Sequence, residues 1–169
     1  MSEEKNINKI KEKENFPQKN IDEENNEILN SDFLKSFETP QKLPEKRKKI
    51  IKLIDYFQEN QTYLKSLKDS KNLELLYNII LTNLNENNNN FVIGQINLIK
   101  ILVEQILNNE NEQIKLDLKN FFKKALPKLF DKFYLQNEKI NKSLIDIFIF
   151  VIDENILKYN DYFPLIENI

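Results

Sequence analysis

The sequence contains no cysteine, no histidine, no tryptophan and a single glycine, Gly94. Without cysteine there is neither a disulfide framework nor a thiolate metal site, which fits a reducing compartment. Without histidine the usual general base is missing, and a cysteine nucleophile is missing too. One glycine set inside an apolar run can build neither a phosphate loop nor a dinucleotide fingerprint. Carboxylate pairs such as Asp22 with Glu23 and Asp153 with Glu154 have no metal-ligating company and read as surface residues. The expectation is a chain that is not an enzyme, with no catalytic residues, no cofactor and no metal. So little glycine also argues against a turn-rich sandwich or barrel and for helices joined by polar turns.

Charge of either sign is nearly balanced: 25 Lys and Arg against 27 Asp and Glu, a formal net charge of −2. That removes the bulk electrostatic case for nucleic acid. The basic run at residues 45–49, EKRKK, reads as a wet helix face rather than a nucleic-acid contact. The opening MSEEKNINKIKEKEN has no apolar core of a leader, and no apolar run approaches the ~18 residues of a membrane span. A soluble, intracellular chain with no membrane partner is expected. Residues 1–30 are rich in Lys, Glu and Asn with isolated apolar positions, so they cannot offset the entropy of ordering and are expected to be disordered. They read as a solubilising tail, or, around residues 28–37, as a short partner-binding motif. Residues 31–169 are expected to form one folded domain.

The strongest pattern lies at residues 126–152, LPKLFDKFYLQNEKINKSLIDIFIFVI. Leu126, Leu129, Phe130 and Phe133 recur at the three- and four-residue steps of one helical face. Pro127 kinks such a helix without having to end it. Residues 136–139 are a polar turn short enough to force an antiparallel return. The second helix, residues 140–152, is apolar nearly all round from 147 onward, as a helix sandwiched between neighbours would be. A strand is the competing reading of residues 144–152, since Ile, Phe and Val favour strands. Helix is preferred because of an internal echo at a shift of 49 residues. It pairs Phe91 with Ile140, Gly94 with Ser143, Leu98 with Ile147, Ile99 with Phe148, Leu102 with Val151 and Val103 with Ile152. Upstream it pairs Ile80 with Leu129, Leu81 with Phe130 and Leu84 with Phe133. Self-similarity at such a period is the mark of a helical solenoid.

The rest of the chain fills in around that pair. Residues 31–37 suit a short helix capped by Ser31, and Pro40 and Pro44 bracket a loop. Pro44 then opens a helix with Ile50, Ile51, Ile54 and Phe57 on its apolar face and Glu45, Lys46, Arg47 and Lys48 wet. Residues 62–70 read as a short helical connection carrying Leu64 and Leu67. Leu73, Leu76, Tyr77, Ile80, Leu81 and Leu84 give one amphipathic face. The asparagine run at residues 85–90 is read as a turn without chemistry of its own. Helices follow at 91–107 and 114–135, and the Tyr-Phe-Pro-Leu-Ile of residues 162–166 reads as the start of a last one. The expected architecture is all-α, an α-solenoid of about three and a half HEAT-like antiparallel hairpins. Leu98, Ile99, Leu102, Phe130, Ile147, Phe148 and Val151 are its expected core.

The order of elements resembles a known family. PEKRKKIIKLIDYF is similar to the opening of TOG domains, the tubulin-binding HEAT arrays of microtubule regulators. LLYNIILTNLNENNNNFVIGQINLIKILVEQI looks like the second TOG hairpin and ALPKLFDKFYLQNEKINKSLIDIFIFVIDEN the third, with the CLASP group the nearest likeness. The resemblance spans residues 33–169. It implies a non-catalytic module that recognises αβ-tubulin or microtubules through the turns inside successive hairpins. It also implies a cytoplasmic, cytoskeletal location, the cilium included. Carried over position by position, the first turn offers Lys46 and Arg47, the second Asn90 and Phe91, and the third Lys139 and Lys142. The family's usual Trp in the first turn is replaced by Leu43 and Pro44. Read as residues alone, the lysines are also ordinary occupants of solvated turns, and Phe91 is the first core position of its helix. The other function these features allow is a HEAT-type structural adaptor that binds another protein without touching tubulin.

Overall fold

The structure, a computed structural model, describes residues 31–65, 67 and 71–166. Among these residues the chain is helical and contains no strand. The helices are α1 (Ser31–Lys35), α2 (Leu43–Glu59), α3 (Lys71–Asn83), α4 (Asn89–Ile106), α5 (Glu112–Phe130), α6 (Glu138–Asp153) and α7 (Tyr159–Ile166). Residues 144–152 lie within α6, so the strand reading of that segment is excluded. The expected disorder of residues 1–30 falls outside the described residues.

Asparagines start three of these helices. Asn88 Oδ1 accepts from the Phe91 amide (3.1 Å), Asn111 Oδ1 from Gln113 (2.9 Å) and Asn137 Oδ1 from Ile140 (3.2 Å). Each bond satisfies an amide that has no carbonyl partner in the first turn, worth about 1 kcal/mol. Asn88 and Asn137 are themselves related by the 49-residue shift, so the echo extends to the caps. The asparagine run read as inert therefore holds a helix start. Pro44 occupies the first turn of α2, where a missing amide costs nothing.

Three boundaries depart from the sequence reading. Residues 61–65 are turns rather than a helix, although Leu64 is fully buried. The helix expected to reach Leu135 ends at Phe130 and tightens into a 3-10 segment, Asp131–Leu135, which Gln136 closes at a left-handed φ of 50°. Pro164 falls late in α7 rather than at its start.

Helices two apart in the chain pack on one another: α2 on α4 and α4 on α6 in one series, α1 on α3, α3 on α5 and α5 on α7 in the other. Gly94, early in α4, has Ile50 of α2 beside it, at 3.5 Å from where a Cβ would stand. Near the other ends of the same helices, Gln105 Nε2 donates to the Phe57 carbonyl (2.7 Å). Helices α2 and α4 therefore run parallel. Lys100 of α4 meets Asp146 of α6 at 3.5 Å, and the segments leading into these two helices also touch, so α6 continues the same direction.

One apolar core runs between the two series. Of the residues expected inside, Leu98, Ile99, Leu102, Ile147 and Val151 are buried. Phe130 and Phe148 are not; they are half-buried and stacked on each other, ring centroids 4.5 Å apart. Nor is α6 sandwiched on all sides. Ile140, Leu144, Ile147 and Val151 face the core, while Ile145, Ile149 and Ile152 remain 49%, 54% and 44% exposed. The reason is positional: α4 has α2 on one side and α6 on the other, whereas no described helix of that series follows α6.

Candidate protein-binding edge

Because α2, α4 and α6 run parallel, their first turns come to one edge. That edge is stitched through the loop between α3 and α4. From α2, Lys46 Nζ reaches Glu86 Oε1 at 3.1 Å. From the 3-10 segment, Lys132 Nζ donates to the Glu86 carbonyl (3.0 Å) and to Asn87 Oδ1 (2.7 Å). From the end of α5, Lys128 Nζ donates to Asn85 Oδ1 at 2.5 Å. Three cations thus converge on one loop and fix the spacing of consecutive helix starts.

Lys132 is buried, which sequence reasoning missed. Desolvation is the main reason its pKa falls below the ordinary lysine value, with Asp131 opposing and Lys128 adding to the fall. A buried ammonium is tolerated here because a carbonyl and an amide oxygen replace its water. The only sequence signal was its place one helical turn after Lys128, next to a turn.

The six residues carried over by resemblance fall into three settings. Arg47, Asn90, Lys139 and Lys142 are exposed at the starts of α2, α4 and α6. Lys46 is half-buried in its pair with Glu86 rather than wet as expected. Phe91 is buried in the core beneath the Asn88 cap and offers no ring to solvent. The edge can therefore present cations and amides to an acidic partner but not the aromatic the resemblance implied. No group of three or more His, Cys, Asp or Glu able to hold a metal ion occurs among the described residues. No described helix is long and apolar enough to cross a membrane.

A second feature sits at the far end of the helix series. Leu126, Phe130, Phe133, Phe148, Val151, Ile152, Leu157 and Tyr162 line an apolar cavity of about 360 Å³. It opens beside the exposed stripe of α6, sharing Phe148 and Ile152 with it. No protein-family model matches the chain, and no curated protein or solved structure shows significant similarity to it.

Proposed function

We propose that the chain is a non-catalytic protein-binding module, an α-solenoid of HEAT-like hairpins that engages its partner along the edge where α2, α4 and α6 begin. The observation carrying this reading is the alignment of exposed Arg47, Asn90, Lys139 and Lys142 at the starts of three parallel helices. Successive hairpins of a solenoid present equivalent turns on one side, which makes an extended surface out of short segments. An acidic protein is the partner such a surface fits, through steering and charge-assisted hydrogen bonds. Tubulin, with its acidic surface and the TOG-like order of elements, is the leading candidate, at a cytoplasmic and cytoskeletal location.

The test is a microtubule pelleting assay beside size-exclusion chromatography with free tubulin. Wild type should bind, and reversing charge at Arg47, Lys139 and Lys142 together should weaken binding while melting is unchanged. Added salt should weaken the wild type in the same direction, because exposed charges are screened over about 8 Å at physiological ionic strength. Wild type that does not bind, or a triple variant that binds equally well, refutes the tubulin reading. The buried Phe91 and the engaged Lys46 favour the second reading, an adaptor that binds another protein without tubulin contact.

A further inference from the structure

The apolar stripe on α6 has a counterpart whose covering is known. Under the 49-residue shift Ile145, Phe148 and Ile152 correspond to Ile96, Ile99 and Val103 of α4, all buried. Ile96 lies about 200° around the helix from Gly94, at 100° per residue. Gly94 faces α2, so Ile96 looks toward α6. The same side of α6 is open.

One position differs in kind. On α4 the flank of this face carries Lys100, which meets Asp146 of α6. On α6 the corresponding residue is Ile149. Whatever covers α6 must therefore be apolar where Asp146 was acidic.

We propose that the occupant is a second copy of this chain, its α6 packed antiparallel against the first across a two-fold axis near Phe148 and Ile149. An isologous contact requires a surface complementary to itself, and two features of α6 meet that requirement. The apolar residues Ile145 and Ile152 are spaced evenly about the axis, so each meets the other on the partner helix. Lys142 and Asp153, both exposed, stand on the same edge of the stripe. At 1.5 Å per residue they lie about 10 Å before the axis and about 7 Å after it. The two-fold keeps that edge and reverses its direction, which brings Lys142 of each copy to Asp153 of the other. A parallel two-fold would instead send that edge to the opposite side of the contact and leave Lys142 of each copy without Asp153 beside it. The contact also closes the mouth of the apolar cavity, which shares Phe148 and Ile152 with the stripe. Lys142 is shared with the helix-start edge, whereas Ile149 and Asp153 lie outside it, so Ile149→Asp and Asp153→Lys test the dimer separately from whatever that edge binds.

Sedimentation velocity over a concentration series is the primary measurement, with a dimer expected. Ile149→Asp should leave a monomer of unchanged helicity, since Ile149 is exposed and carries no part of the fold. Lys142→Asp alone and Asp153→Lys alone should each raise the dimer dissociation constant roughly tenfold, two pairs being affected per dimer. The double variant should restore it. Because the chain has no cysteine, Ile149→Cys gives a second readout: it should form a disulfide-linked dimer on mild oxidation, whereas Gln58→Cys, at an exposed position of α2, should not. A wild type that stays monomeric overturns the proposal, as does a dimer indifferent to Ile149→Asp. Failure of the double variant to restore association overturns the antiparallel register.

Discussion

Gln95 sits buried in α4 with neither end of its amide hydrogen-bonded to any described residue. An unpaired buried amide costs about 1 to 3 kcal/mol, whereas an apolar side chain of similar shape costs nothing of the kind. The internal echo supplies the replacement, because the residue corresponding to Gln95 is Leu144, fully buried in α6. Gln95→Leu should therefore stabilise the fold by about 1 kcal/mol or more, read as a higher denaturation midpoint at unchanged slope. Tyr77 is a related case. It stacks on Phe121 at 4.4 Å, its hydroxyl has no partner among the described residues, and burial first, Asp117 second, pushes its pKa well above the ordinary 10.0. Above pH 10.0 the unfolded chain releases this proton and the folded one keeps it, so stability is lost as pH rises. Burial raises Tyr56 in the same sense, to about 12. Between pH 9 and 11 stability measured by denaturant should fall more gently in Tyr77→Phe than in wild type, and an identical slope would contradict the burial of the hydroxyl.

At the scale of the helix, half-burial and full burial can be told apart by mutation. Phe122 of α5 is fully enclosed, and Phe122→Ala should cost about 3 to 5 kcal/mol. Phe148, stacked on Phe130 beside an open cavity, already faces solvent in part. Phe148→Ala should accordingly cost less than Phe122→Ala, by denaturation of the monomeric Ile149→Asp background. The caps offer a further comparison. Asn88→Ala and Asn137→Ala should each cost about 1 kcal/mol, and losses much below that would show that neither amide depends on its side chain. These caps explain what sequence reading could and could not reach. The apolar period marked α3 to α6 within a few residues because burial imposes it on many side chains at once. A cap is a single side chain, and in a run of four asparagines at residues 87–90 nothing local distinguishes Asn88 from its neighbours.

For the whole molecule, the echo carried more information than any motif. It relates buried Leu98 to buried Ile147 and buried Leu102 to buried Val151, and it fails where packing differs, at buried Val103 and exposed Ile152. The failure was not visible beforehand because periodicity reports which faces are apolar and not whether a neighbour covers them. The edge was legible in the same limited way. Helix starts could be placed, and with them Arg47, Asn90, Lys139 and Lys142, but the partners of Lys46 and Lys132 depend on the loop at residues 85–87, 40 to 46 positions away in sequence. Long polar side chains find such partners only once the backbone has brought the turns together.

The two edges of the helix series are tied unequally, and this bears on how the molecule yields under load. At the helix ends opposite the stitched loop, Gln105 binds the Phe57 carbonyl, and Asn109 Nδ2 binds the carbonyls of Leu64 (2.6 Å) and Leu67 (3.1 Å). These buried amides bolt α4 to the chain leaving α2. One repeat later the exposed Glu154 stands where Gln105 is buried, so at that position the seam between α4 and α6 has no buried amide to bolt it. A pull along the series should open this second seam like a hinge, pivoting on the lysine-stitched edge, while α2 and α4 stay together. The molecule would then behave as a stiff grip joined to a compliant tip.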